Sequence, residues 1–125
     1  MSELERLDIA DGTVQSLLIG NNTARLVIAR VLPLPVCVIE VKSPVFCWDA
    51  GACAGGHLDR VKVDPWIPEL TPQIWEMMDD DVKRVSQLYQ HVYVQIYSAA
   101  YWLKPAFGVI ADPDDISISF MAGVS

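Results

Sequence analysis

The sequence is short of positive charge, of histidine and of cysteine, and each shortage narrows what the chain can do. Nine lysines and arginines stand against 16 acidic residues, giving a net charge of −7 and a pI near 4.5. A field of that sign repels phosphate backbones and anionic lipid headgroups. Neither nucleic acid nor a membrane surface is therefore expected as a partner, and a basic protein is. Three cysteines cannot all pair within one chain. Cys37 lies in an apolar run as a small core residue, and the thiols are expected free, as in a reducing cytoplasm. No run of 18 or more apolar residues exists, since Leu26 to Ile39 is broken by Arg30, Pro33 and Pro35. Residues 1–12 are acidic and lack the basic and apolar parts of a signal peptide. The glycines before His57 follow neither a dinucleotide nor a P-loop pattern, so no nucleotide cofactor is expected.

What the chain does have is apolar residues: 52% of the sequence is hydrophobic and 20% charged. That is enough for one domain over residues 1–125 with a core of its own. The same apolar content motivates an alternative, a subunit that associates with its own copies.

The first half reads as strands: Thr13 to Ile19, Ala24 to Leu32, Val36 to Lys42, Val45 to Trp48 and Leu58 to Val63. Gly20-Asn21-Asn22-Thr23 is a tight hairpin, because both asparagines tolerate positive φ. Ala24, Leu26 and Ile28, and then Cys37, Ile39 and Val41, form the inward sets. Asp64 to Leu70 is a proline-set connector from which Trp66 plugs onto the core. From Thr71 to Lys104 the periodicity turns helical, with Met78, Val82, Val85, Tyr89, Val92, Ile96, Ala99 and Leu103 spaced by alternate steps of four and three. Thr71 is a suitable N-cap with Pro72 at the first helical position. Asp79-Asp80-Asp81 mark a break or bend. Tyr93, Tyr97 and Tyr101 form a second stripe, expected to pack on the sheet or else to form an exposed aromatic ridge. Ile116, Ile118 and Phe120 alternate with serines in a final strand. The expected fold class is α+β, an antiparallel sheet of about five strands with one long or broken C-terminal helix packed on it.

Two groups of residues suggest chemistry. Cys47, Cys53 and His57 lie close in sequence with Asp49 nearby, but zinc wants four ligands and no second cluster exists. A metal is thus not expected. A nucleophilic Cys53 with His57 as base is the alternative enzymatic reading, although no third residue orients the pair. The aspartates at 79–81 and at 112, 114 and 115 lack the alternating oxygens and terminal glutamate of a calcium loop. They read as a helix N-terminus and a turn, and together as an acidic patch for Lys and Arg on a partner. The expected partner-binding residues are Trp75, Asp79, Asp80, Asp81, Asp112, Asp114 and Asp115, with no catalytic residue assigned.

The segment Tyr101-Trp-Leu-Lys-Pro-Ala-Phe-Gly-Val-Ile-Ala-Asp112 resembles a pattern of small immunity proteins of bacterial polymorphic toxin systems. There a helix ends in Leu-x-Pro-x-Phe/Tyr-Gly before a strand and an acidic turn, matched here by Leu103, Pro105, Phe107, Gly108 and Asp112. The match covers about a tenth of the chain. It implies a protein that binds and blocks a cognate toxin and catalyses nothing. With the charge, it gives the expected function: a non-enzymatic, cytoplasmic inhibitor of a basic protein, of immunity or phage type.

Overall fold

The computed structural model describes residues 4, 6–51, 57–88, 90–99 and 105–121. Among them are eight strands: β1 (Thr13–Gly20), β2 (Thr23–Ala29), β3 (Cys37–Lys42), β4 (Phe46–Asp49), β5 (Leu58–Pro65), β6 (Val92–Ser98), β7 (Pro105–Ala111) and β8 (Ile116–Phe120). Two short helices, α1 (Pro72–Met77) and α2 (Asp80–Leu88), separate β5 from β6. The strands form two antiparallel sheets of four, ordered β1-β2-β3-β8 and β4-β7-β6-β5.

The two sheets pack face to face. Leu26, Ile28, Ile39 and Val41 from the first meet Val61, Val94, Ile96 and Val109 from the second in one buried cluster. Leu4 and Ile9, fully or nearly fully buried, belong to the same cluster. Asp11 donates its N–H to the Leu58 carbonyl at 2.8 Å, and Leu58 donates to that of Gly12 at 2.8 Å, tying the lead-in segment to β5. The acid-rich start of the chain therefore contributes core, through the apolar residues set between its charges.

The second sheet is covered on its other face too. Trp66, Met78, Tyr93 and Ile110 form a separate buried cluster with Phe46, Trp48, Ile74, Trp75 and Val82 packed against it. The architecture is thus three-layered: sheet, sheet, and a thin helical layer.

This corrects the expected fold. Among the described residues there is no long C-terminal helix on a five-stranded sheet; residues 92–98, expected in the second half of that helix, are β6 in the middle of the second sheet. Val92, Val94 and Ile96 turn toward the first sheet, and Tyr93 lies on the opposite face in the helical-layer cluster. A strand covered on both faces carries apolar residues at nearly every position, and such a run satisfies a 3.6-residue period as readily as a period of two. The β-branched and aromatic content of Val-Tyr-Val-Gln-Ile-Tyr was the signal for a strand. What remains helical is 72–77 and 80–88, divided at Met78-Asp79 beside the three aspartates. Thr71 stands at the N-cap position of α1 but makes no side-chain cap. Tyr89, Tyr101, Trp102 and Leu103 lie outside the described residues.

The first half follows its sequence pattern closely. Asn21 and Asn22 have φ of 51° and 60° and close the β1–β2 hairpin. Ala24, Leu26, Ile28, Cys37, Ile39 and Val41 all face the inter-sheet core. Asp112 accepts the Asp114 N–H at 2.9 Å and shapes the 3₁₀ turn 113–115 that leads into β8.

Candidate functional site

The outer face of the second sheet is built around Tyr93. Trp48 on β4 stands opposite Gly108 on β7, and Gly108 is in turn opposite Gln95 on β6. With no side chain at Gly108, the Trp48 indole lies across that strand, where a Cβ would fall within the ring. The indole N–H donates to the Tyr93 hydroxyl at 3.0 Å. Trp66 meets the other side of Tyr93 edge to face, with centroids 5.7 Å apart and planes at 81°. Burial pushes the Tyr93 hydroxyl up to about 12, against the opposing effect of the Trp48 hydrogen bond. At neutral pH Tyr93 is a neutral group held at the floor of a cleft. That cleft, about 520 Å³, is lined by Trp48, Ile74, Met77, Tyr93, Gln95 and Pro105. A second cavity of about 400 Å³ adjoins it, sharing Thr71, Tyr93 and Gln95. The indole N–H of Trp66 is buried and meets no acceptor among the described residues.

The helical layer roofs this face and presents an unusual exterior. On α2 the buried residue is Ser86, whose hydroxyl donates to the Lys83 carbonyl at 2.8 Å. Val85 and Leu88 are instead 40% and 66% exposed, and Met77 on α1 is 61% exposed. A buried serine beside exposed aliphatics inverts the usual arrangement of an amphipathic helix, and it is this combination that carries information about function. Glu69, Glu76, Asp79, Asp80 and Asp81, in the same stretch of chain, are exposed as well. Of the two cations in the layer, Arg84 is tied to Asp81 at 2.8 Å, and the Lys83 ammonium lies 5.3 Å from the Trp75 ring centroid. The acids of α2 lie in its first turn, where the helix dipole favours them.

The expected site residues divide into two groups. Trp75 is half buried beneath Lys83 and packs on the second cluster, so its ring serves the layer's attachment. Asp79, Asp80 and Asp81 are exposed at the α1–α2 junction. Asp112, Asp114 and Asp115 lie in the turn after β7, and the neighbouring Pro113 shares a cavity with Ser86 and Gln87 near the other end of α2. The two aspartate sets bracket α2 from opposite ends and do not form one patch. Sequence reading missed Leu88, and it placed Val85 in a buried stripe. The stripe was drawn for a helix running to 103, and a helix ending at Leu88 is held by Val82 and Ser86 instead.

The cysteine–histidine group does not assemble among the described residues. Cys47 points into the inter-sheet core from β4, while His57 immediately precedes β5 at the opposite edge of the same sheet. Three strand spacings, about 14 Å, separate those edges. Burial raises the Cys47 thiol, away from nucleophile chemistry. His57 is exposed, with Nδ1 3.2 Å from the Asp11 carbonyl. Cys53 lies outside the described residues. No group of three or more His, Cys, Asp or Glu suited to a metal occurs among the described residues. No helix among them is long and apolar enough to cross a membrane.

Pro105, Phe107 and Gly108, which carried the resemblance to immunity proteins, lie within β7, and among the described residues the regular element before them is the strand β6. Compared with models of protein families, with curated proteins and with solved structures, the chain matches none.

Proposed function

We propose that this chain is a non-enzymatic protein that binds a partner protein through its helical layer and blocks it, as an immunity protein or a phage inhibitor does. The observation that carries the reading is the exterior of α2, where Val85 and Leu88 face solvent while Ser86 is buried. A protein interface combines apolar contacts with charged residues at its margin, and the helical layer carries exposed side chains of both kinds. Its five carboxylates steer a basic partner over distances of about a Debye length, 8–10 Å at moderate salt. Once docked, Leu88, Val85 and Met77 supply the desolvated contact. The free thiols of Cys37 and Cys47 support a cytoplasmic setting.

The test is titration of the purified chain against the product of the neighbouring open reading frame, at two salt concentrations. Reversing Asp79, Asp80 and Asp81 to lysine should slow association at low salt by about tenfold or more. Leu88→Asp should instead speed dissociation. Absence of a complex with the unaltered chain, or a complex indifferent to both changes, would remove this surface from the reading.

A further inference from the structure

We infer that two copies of this chain join through β8, edge to edge, so that the first sheet continues as one antiparallel sheet across a two-fold axis at Ile118. The inference concerns the face of the molecule away from the helical layer and does not rest on the function proposed for that layer.

Among the described residues the two sheets have four edge strands, and three of them are guarded. β1 carries a register shift between Val14 and Ser16. β4 has only four residues, follows Pro44 and ends in Asp49. β5 carries a register shift, four charged side chains and a terminal Pro65. Bulges, shortness, charge and proline are the means by which edges resist pairing. β8, Ile-Ser-Ile-Ser-Phe, has neither charge, proline nor glycine, and its register with β3 is unbroken. Among the described residues it pairs with β3 alone.

The direction of its free backbone groups follows from one hydrogen bond. Met121 donates its N–H to the Val36 carbonyl at 2.9 Å, in line with the β3–β8 register. In an antiparallel pair, hydrogen-bonded and open positions alternate. Ser117 and Ser119 therefore direct their backbone groups at β3, and Ile116, Ile118 and Phe120 turn theirs outward. A second β8 running the other way matches this set to itself: Ile118 faces Ile118 of the other copy, and Ile116 faces Phe120.

Charge and apolar surface agree with that register. The Arg30 guanidinium lies 4.9 Å from the Phe120 ring centroid and donates to the Pro35 and Asp8 carbonyls at 2.8 and 3.3 Å, and among the described residues it forms no ion pair with a carboxylate. In that register Phe120, with Arg30 over its ring, stands opposite Ile116 of the other copy, which directly follows that copy's Asp114 and Asp115 in sequence, and the symmetry repeats the match. Phe120 and Met121, 54% and 45% exposed, lie at the same joint.

Sedimentation equilibrium over a wide concentration range tests this. The unaltered chain should show a dimer of twice the 13.9 kDa chain mass. Ile118→Pro deletes an outward N–H that β3 does not use, at the cost of the contacts Ile118 makes with the core, so a variant whose circular dichroism spectrum shows it folded should dimerise at least tenfold more weakly. Should that variant fail to fold, Arg30→Glu and the pair Asp114→Lys with Asp115→Lys should each weaken the dimer, and their combination should restore it. A chain that stays monomeric throughout, a dimer that survives a folded Ile118→Pro variant, or a charge exchange without rescue would each overturn the inference.

Discussion

Trp48 and Tyr93 are hydrogen-bonded across an intervening strand, indole N–H to hydroxyl at 3.0 Å, because the residue beneath the indole is Gly108. This contact joins β4, an edge strand of only four residues, to β6 in the sheet interior without passing through the β7 backbone. It also fixes the floor of the cleft under α1.

Gly108→Ala should therefore destabilise the protein. The added methyl displaces the indole and with it the Tyr93 hydrogen bond, an overpacking cost of about 1–3 kcal/mol. A lower urea midpoint with an unchanged slope is the expected result.

Tyr93→Phe should cost about 1 kcal/mol near neutral pH by leaving the Trp48 donor unpaired. The deficit should shrink in base. A tyrosine whose folded value is about 12 holds its proton between pH 10 and 12 while the unfolded chain loses it, so the native state binds more protons and stability falls as pH rises. Below pH 10 this contribution is fully present. The distance from an ordinary tyrosine near 10 to one at about 12 corresponds to about 2–3 kcal/mol at most. Urea melts of both proteins from pH 8 to 12 should show the unaltered chain losing stability more steeply. Parallel curves would contradict this account of Tyr93.

Cys37 and Cys47 should resist alkylation in the folded protein at pH 8. Burial raises both thiols, and both side chains face the core between the sheets; a nearby Arg30 only partly offsets the effect at Cys37. Mass spectrometry after brief iodoacetamide treatment should find both unmodified, and fully modified once urea is added.

Asn21 and Asn22 hold the β1–β2 turn at positive φ, which costs a residue with a Cβ about 1 kcal/mol or more. Replacing the pair by Ala-Ala should lower the thermal midpoint by several degrees. Asn22→Gly should be neutral or stabilising, since Asn-Gly suits this turn type.

Leu88→Asp and Val85→Asp should barely affect folding, within about 0.5 kcal/mol, because neither side chain is buried. Melting curves that overlay the unaltered protein would separate their effect on a partner from any effect on the fold.

The inward positions of β2 and β3 were legible: every residue assigned inward there is inward, and Val27 and Val38, which pair with each other on the intervening positions, are buried as well. Where both faces are covered, alternation disappears, and β6 could not be told from a helix by period alone. Gly108 entered the sequence reading through the resemblance; it is the seat of an indole, a role that depends on a residue sixty positions earlier. The exposed acids were legible because charge seeks water, but their arrangement was not. Whether 79–81 and 112–115 meet depends on the path of β6 and β7, which pair across the sheet and carry the second set to the far end of α2.

The pairing of β3 with β8 sets Glu40 against Ser117, seventy-seven residues apart in the chain. Loops of that length form slowly relative to hairpins. During synthesis the β1-β2-β3 meander can form early, but one side of β3 then waits, with Cys37, Ile39 and Val41 beside it, until four further strands and both helices have been made. The order of events is written into the topology: β8 comes after every other strand described, and its arrival converts an open three-stranded meander into a finished sheet.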